Sequence, residues 1–133
     1  MSWQTTRLVE FQHCDPAGIV FYPRYFEMIN SVIEEYFRTH IGYSFKPMHF
    51  TDRRGVPTAK ITVEFHAPSF LEDLLTFTLT AVRIGKSSVN FQITSACEGA
   101  ARLTADTTLV QVDMASGKST PWPDAVRDRM KNT

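Results

Sequence analysis

Charge of one sign is the first thing this sequence lacks. Fourteen Lys and Arg balance fourteen Asp and Glu. There is no basic excess of the kind that tracks a phosphate backbone, which argues against a general nucleic-acid-binding role. The same balance leaves little long-range repulsion between copies, which permits self-association. Long hydrophobic runs are missing too: no stretch approaches eighteen apolar residues, so nothing reads as a membrane span. Residues 1–12 are too polar and too few for a signal peptide. Cysteine is scarce, and Cys14 and Cys97 lie far apart without CxxC spacing, which fits free thiols in a cytoplasmic, reducing compartment. The histidines, His13, His40, His49 and His66, show neither HExxH spacing nor an obvious carboxylate partner, so no metal site is expected. No Gly-x-Ser-x-Gly elbow occurs.

What is present is enough for one core. Hydrophobic residues make up 43% of the 133 positions and include ten Phe, which suits a single domain over 1–133. Residues 4–12 read as a first strand, with Arg7, Val9 and Phe11 on one side. A turn punctuated by Pro16 and Gly18 follows. From Pro23 the period changes: Phe26, Ile29, Ile33 and Phe37 step along one helical face, widened by Tyr22, Tyr25, Val32 and Tyr36. Pro23 suits the first turn, and Gly42 is a plausible stop beyond about His40. So broad an apolar surface predicts burial against a curved sheet, or a sheet plus a partner subunit. Residues 41–55 read as a loop that has room for one short helical turn. Alternating segments at 56–66, 73–83, 87–97 and 101–114, with hairpin-length connections around Gly85 and Gly99, predict four more strands. A short helix is expected from Asp124 to Lys131. No pattern for crossover helices separates the later strands, so the expected class is α+β, an antiparallel sheet packed on one long helix.

Asp15 is the sharpest candidate for chemistry. As an Asx residue in a turn it can simply accept a hydrogen bond from its own backbone. Placed before a helix, whose first N–H groups lack intrahelical acceptors, it is also a carboxylate beside an oxyanion site. A carboxylate that attacks a carbonyl or deprotonates water, with N–H donors for the developing charge, is the minimum kit for acyl transfer. The Tyr22 N–H is the best-placed donor. Cys14, beside a carboxylate, is a poor thiolate and reads as structural. Glu27, Glu34 and Glu35 read as the solvated edge of the helix, and Glu64 and His66 share one strand face. Arg83, Lys86, Ser87 and Ser88 flank the Gly85 turn, and Arg102 opens the next strand. They are either a polar hairpin rim or a phosphate contact.

The run His13-Cys14-Asp15-Pro16-Ala17-Gly18-Ile19-Val20-Phe21-Tyr22-Pro23 closely resembles the signature of hot-dog-fold acyl-CoA thioesterases, in the 4-hydroxybenzoyl-CoA thioesterase branch. Gly55-Val56-Pro57-Thr58, Asp73 and Gly85-Lys86-Ser87-Ser88 match further landmarks, over roughly residues 5–130. The resemblance implies a hot-dog domain, a five- or six-stranded sheet wrapped around the long helix. It implies an enzyme that hydrolyses an aromatic or short-chain acyl-CoA to free acid and CoA, with no cofactor. Asp15 then matches the nucleophile or general base, Gly18 the tight loop beside it, and Tyr22 the residue whose backbone N–H polarises the thioester carbonyl. Lys86 matches a basic position near the CoA phosphates, with Ser87 and Arg83 beside it. The arginines that precede this lysine in the 4-hydroxybenzoyl-CoA enzyme are replaced here by Ile84 and Gly85. Subunits are expected to join sheets edge to edge into dimers with shared active sites, and dimers to pair into tetramers. Two rivals remain: an acyl-thioester dehydratase or hydratase using His13 or His49, and an acyl-CoA-binding module without turnover.

Overall fold

Alternation along the strands becomes one dry face. In the structure, a computed structural model describing residues 1–133, β1 (Trp3–Leu8), β3 (Thr58–Phe65), β4 (Leu74–Ile84), β5 (Ser88–Cys97) and β6 (Ala100–Val110) form an antiparallel sheet in the order β1-β4-β5-β6-β3. Leu75, Phe77 and Leu79 of β4, Val89, Phe91 and Ile93 of β5, and Leu103, Ala105 and Leu109 of β6 are buried. The opposite face carries Thr76, Thr78, Thr80, Gln92, Thr94, Thr104 and Thr108, as expected for a sheet covered on one side.

The cover is α1 (Pro23–Tyr36), which buries Tyr25, Met28, Ile29, Val32, Ile33 and Tyr36. Tyr36 meets Phe91 edge-on, with ring centroids 5.3 Å apart, and Trp3 at 5.6 Å. The helix does not stop at Tyr36 but widens into a π-helical turn over Phe37–Ile41, burying Phe37 and Ile41. Gly42, at φ 76°, ends it as the sequence suggested. It has a second duty, because a Cβ there would overlap Arg129 Nη1. That guanidinium donates to the Ile41 carbonyl from α3 (Asp124–Met130). No helix is long and apolar enough to cross a membrane.

Several expectations change. The first strand ends at Leu8, and Phe11–His13 form a 3-10 turn that leaves Phe11 82% exposed instead of on a strand face. The weakly patterned 41–55 segment contains α2 (Phe45–Phe50) and β2 (Arg54–Gly55), and β2 pairs with β7 (Val112–Asp113), split from the long β6. Glu35 is not a solvated edge residue: its carboxylate pairs with Arg7 at 2.8 Å and accepts from Thr5 Oγ1. The pairing carries six residues of chain 30 positions away in sequence onto α1, which no local pattern could reveal.

The two sheet edges differ. At β1 the Val9 N–H donates inward to Asp73 O, so the Thr6 carbonyl faces out, and Arg7 Nη1 caps it at 2.8 Å. At β3 the His66 N–H donates inward to Arg102 O, so by alternation Ile61, Val63 and Phe65 turn their backbone groups outward. No side chain caps them. Their side chains share the helix-facing surface, yet Ile61 and Phe65 are 37% and 47% exposed.

Candidate active site

The loop between β1 and α1 is built around the Asp15 turn. Gly18 N–H donates to Asp15 O and Asp15 N–H to Ile19 O, each at 2.9 Å. Gly18 sits at φ +80° with nothing within 4 Å of a would-be Cβ, so the backbone conformation and not crowding calls for glycine. Asp15 Oδ1 accepts from Ala17 N–H at 2.9 Å. The ordinary Asx role is therefore filled, by one oxygen only. The second oxygen takes no hydrogen bond within the chain. The carboxylate lines a recess of about 420 Å³ with Phe11, Cys14, Pro16, Gly18 and Leu71, and no cation shares it.

Seven residues on, Tyr22 stands at the start of α1, followed by Pro23. Its neighbours are tied down, with Val20 N–H on Ser69 O and Phe21 N–H on His13 O, each at 2.9 Å. The Tyr22 N–H itself has no acceptor within the chain. Tyr22 lines a second recess, about 300 Å³, with Val20, Tyr25, Phe65, His66, Ala67 and Pro68. Phe65 is the end of the open edge strand, and its ring lies 5.5 Å from Tyr25 and 6.2 Å from Tyr22. Segment 15–22 thus serves two neighbouring recesses, one holding the carboxylate and one the helix start.

Lys86, Ser87 and Arg83 are not brought to this segment within one chain. The Asp15 loop lies at the Leu74 end of β4, where Glu72 N–H donates to Val9 O, and the Gly85 hairpin lies at the Ile84 end. Ten residue steps separate the two, roughly 30 Å along a strand. At the hairpin Arg127 Nη2 donates to the carbonyls of Gly85 (2.7 Å) and Lys86 (3.0 Å), and Lys86 is exposed. Arg83 shares a recess with Gly85, Ser88, Asn90 and Thr108. Arg102, weighed in the sequence with the phosphate candidates, is taken: its Nη1 donates to Asp73 Oδ2 at 2.8 Å and to Pro68 O at 3.0 Å.

The histidines are placed elsewhere. His13 Nδ1 accepts the Glu10 N–H at 2.8 Å and lines a separate cleft with Arg7, Glu10, Glu27 and Ser31. His49 Nδ1 lies 2.7 Å from Phe45 O within α2. Neither shares the Asp15 recess. Cys14 does, with its Sγ 3.6 Å from Glu10 O. Sequence reasoning set Cys14 beside the carboxylate by adjacency and missed Phe11 and Leu71.

The chain matches the model of the thioesterase-like superfamily over residues 9–130. No curated protein matches the sequence. Among solved structures it is similar to a 1,4-dihydroxy-2-naphthoyl-CoA thioesterase from Synechocystis (TM-score 0.91, 17% identity, covering 99% of this chain and 97% of that one). It is also similar to a gentisyl-coenzyme A thioesterase (TM-score 0.86, 21% identity, covering 96% and 99%). A Staphylococcus aureus protein solved in complex with CoA gives a TM-score of 0.91 at 16% identity, covering 99% and 83%. These likenesses show a shared hot-dog fold, one sheet wrapped on one long helix, and the family match settles the assignment. The chain belongs to the thioesterase-like superfamily.

Proposed function

We propose that this protein is an acyl-CoA thioesterase, converting acyl-S-CoA and water to the free acid and CoA. One observation carries the reading: a carboxylate with one oxygen anchored and one free, seven residues from a helix-start N–H that has no acceptor. The free Asp15 oxygen attacks the thioester carbon, or removes a proton from the water that does. The Tyr22 N–H receives the negative charge that builds on the carbonyl oxygen. Collapse expels the CoA thiolate, a good leaving group that needs no dedicated acid; on the route of direct attack, water then hydrolyses the acyl–Asp15 anhydride to release the acid and restore the carboxylate. The gentisyl- and dihydroxynaphthoyl-CoA enzymes among the similar structures, and the CoA complex, support the same substrate class. Both cysteines are free, which suits a cytoplasmic setting.

The active unit in this reading is a dimer formed through β3. Antiparallel pairing of two β3 strands implies a two-fold axis perpendicular to the sheet. That axis brings the partner's Thr58 end beside Phe65, and with it the partner's Gly85 hairpin to the same end as the Asp15 loop. Lys86, Ser87 and Arg83 of one subunit would then serve the CoA phosphates at the site of the other. Any tetramer would have to form by meeting of faces.

The test is thiol release from a panel of aromatic, short-chain and long-chain acyl-CoAs by wild type and Asp15→Asn. A fall in kcat of at least about 100-fold with folding intact is expected. Near-wild-type kcat in the folded variant overturns the mechanism. Binding of CoA esters without thiol release from any of them would instead mark a binding module.

A further inference from the structure

We propose that the Asp73–Arg102 ion pair is a positioning device for the Asp15–Tyr22 segment, acting through the loop that joins β3 to β4. Neither side chain lines a recess of the site, and neither touches Asp15. Each is largely covered, with 24% and 13% of the side chain exposed.

The loop they hold is the wall against which the reacting segment is laid. Arg102 grips it at both ends of its turn. Its carbonyl accepts His66 N–H at 2.8 Å, and its Nη1 donates to Pro68 O at 3.0 Å and to Asp73 Oδ2 at 2.8 Å. Asp73 closes the same turn from the other side, its Oδ2 accepting Phe70 N–H at 2.9 Å while its own N–H donates to Phe70 O at 3.0 Å. Residues 69–70, fixed in this way, pair with residues 19–20: Ser69 O takes the Val20 N–H at 2.9 Å, and Ile19 and Phe70 form a bridge. Ile19 O in turn holds the Asp15 N–H, and Val20 lies two residues before Tyr22. Leu71, in the same loop, walls the Asp15 recess. The Phe70 N–H and the Arg102 guanidinium hold the Asp73 carboxyl below the ordinary aspartate range, which favours the charged form that makes the grip.

An ion pair serving only stability could brace any edge of the sheet. This one contacts the loop at His66, Pro68 and Phe70, next to and on the strip of residues 69–70 that carries Ile19 and Val20. Misplacement of a reacting group by about 1 Å can cost about 100-fold in rate, so loosening the strip should appear in turnover before it appears in global stability.

The test uses Asp73→Asn and Arg102→Gln in the full chain, with two readouts: acyl-CoA hydrolysis and amide hydrogen exchange by NMR. Each variant should lose roughly 10- to 100-fold in kcat per folded molecule, with a smaller change in KM. The double variant should lose no more than the worse single one, since both residues act in one network. The Val20 amide should exchange faster while Phe91 and Ile93 in β5 keep their protection. A change in kcat without a change at Val20, or the reverse, overturns the proposal. Exchange rising equally in β5 overturns it too, because that marks general loss of stability. The catalytic half rests on the thioesterase reading. A wild-type protein that hydrolyses no acyl-CoA sinks that reading, and the exchange arm still decides whether the pair holds the segment.

Discussion

At Asp15, the two carboxylate oxygens have different occupations, and that asymmetry follows from the turn. Ala17 N–H fixes Oδ1, so the side chain has one orientation and the other oxygen is presented. Gly18 makes the turn possible through backbone freedom alone. Gly18→Ala should therefore cost only the left-handed conformation, about 1–2 kcal/mol, seen as a modest shift in chemical denaturation. Tyr36 offers a test by pH. Burial pushes its hydroxyl up to about 12, against the smaller opposite effect of the hydrogen bond with Thr133. A raised pKa in the folded state means the contribution is whole below the unfolded value of about 10 and is lost as pH climbs to about 12. Burial and the neighbouring Asp52 push the Tyr43 hydroxyl up to about 12 as well, so tyrosinate absorbance should show two late-titrating groups, one of which disappears in Tyr36→Phe. The carboxylate was legible in the sequence because its turn, its glycine and its helix are contiguous. Leu71 was not, because it comes from the distant loop between β3 and β4, and Phe11 was not, because it sits in a 3-10 turn where the pattern suggested strand.

Among the elements, the strands and the long helix were readable because each carries its own period. Leu75, Phe77 and Leu79 alternate whatever lies across from them, and Ile29 and Ile33 share a helical face on spacing alone. The parts that failed owe their structure to distant partners. β2 is two residues held by β7. The π-helical turn is of the same kind, since its exit depends on Arg129 reaching the Ile41 carbonyl. Gly42 stands in that path. Gly42→Ala adds a clash with Arg129 to the cost of positive φ, so it should destabilise more than Gly18→Ala, by about 2–4 kcal/mol in total. Denaturation curves of the two variants measured side by side check the order. Equal losses would show that Arg129 moves aside freely.

For the whole molecule, the β3 edge is where the isolated chain looks unfinished. Val63 turns its N–H outward while its neighbours pair with β6, so Val63→Pro removes an edge donor and leaves the sheet's internal ladder intact. Sedimentation should then report a folded monomer with little thioesterase activity. An unchanged dimer would place the interface elsewhere. The other edge bears on how large such an assembly can grow. With Arg7 seated on the Thr6 carbonyl, each copy has a valence of one along the sheet direction. In the proposed dimer, pairing through β3 uses up that valence, and growth along the sheet stops at two. A copy with both edges free would have a valence of two, the condition for an unlimited ladder. Arg7 is thus a chain terminator as well as the partner of Glu35, and Arg7→Ala should scatter light increasingly with concentration where the wild type does not.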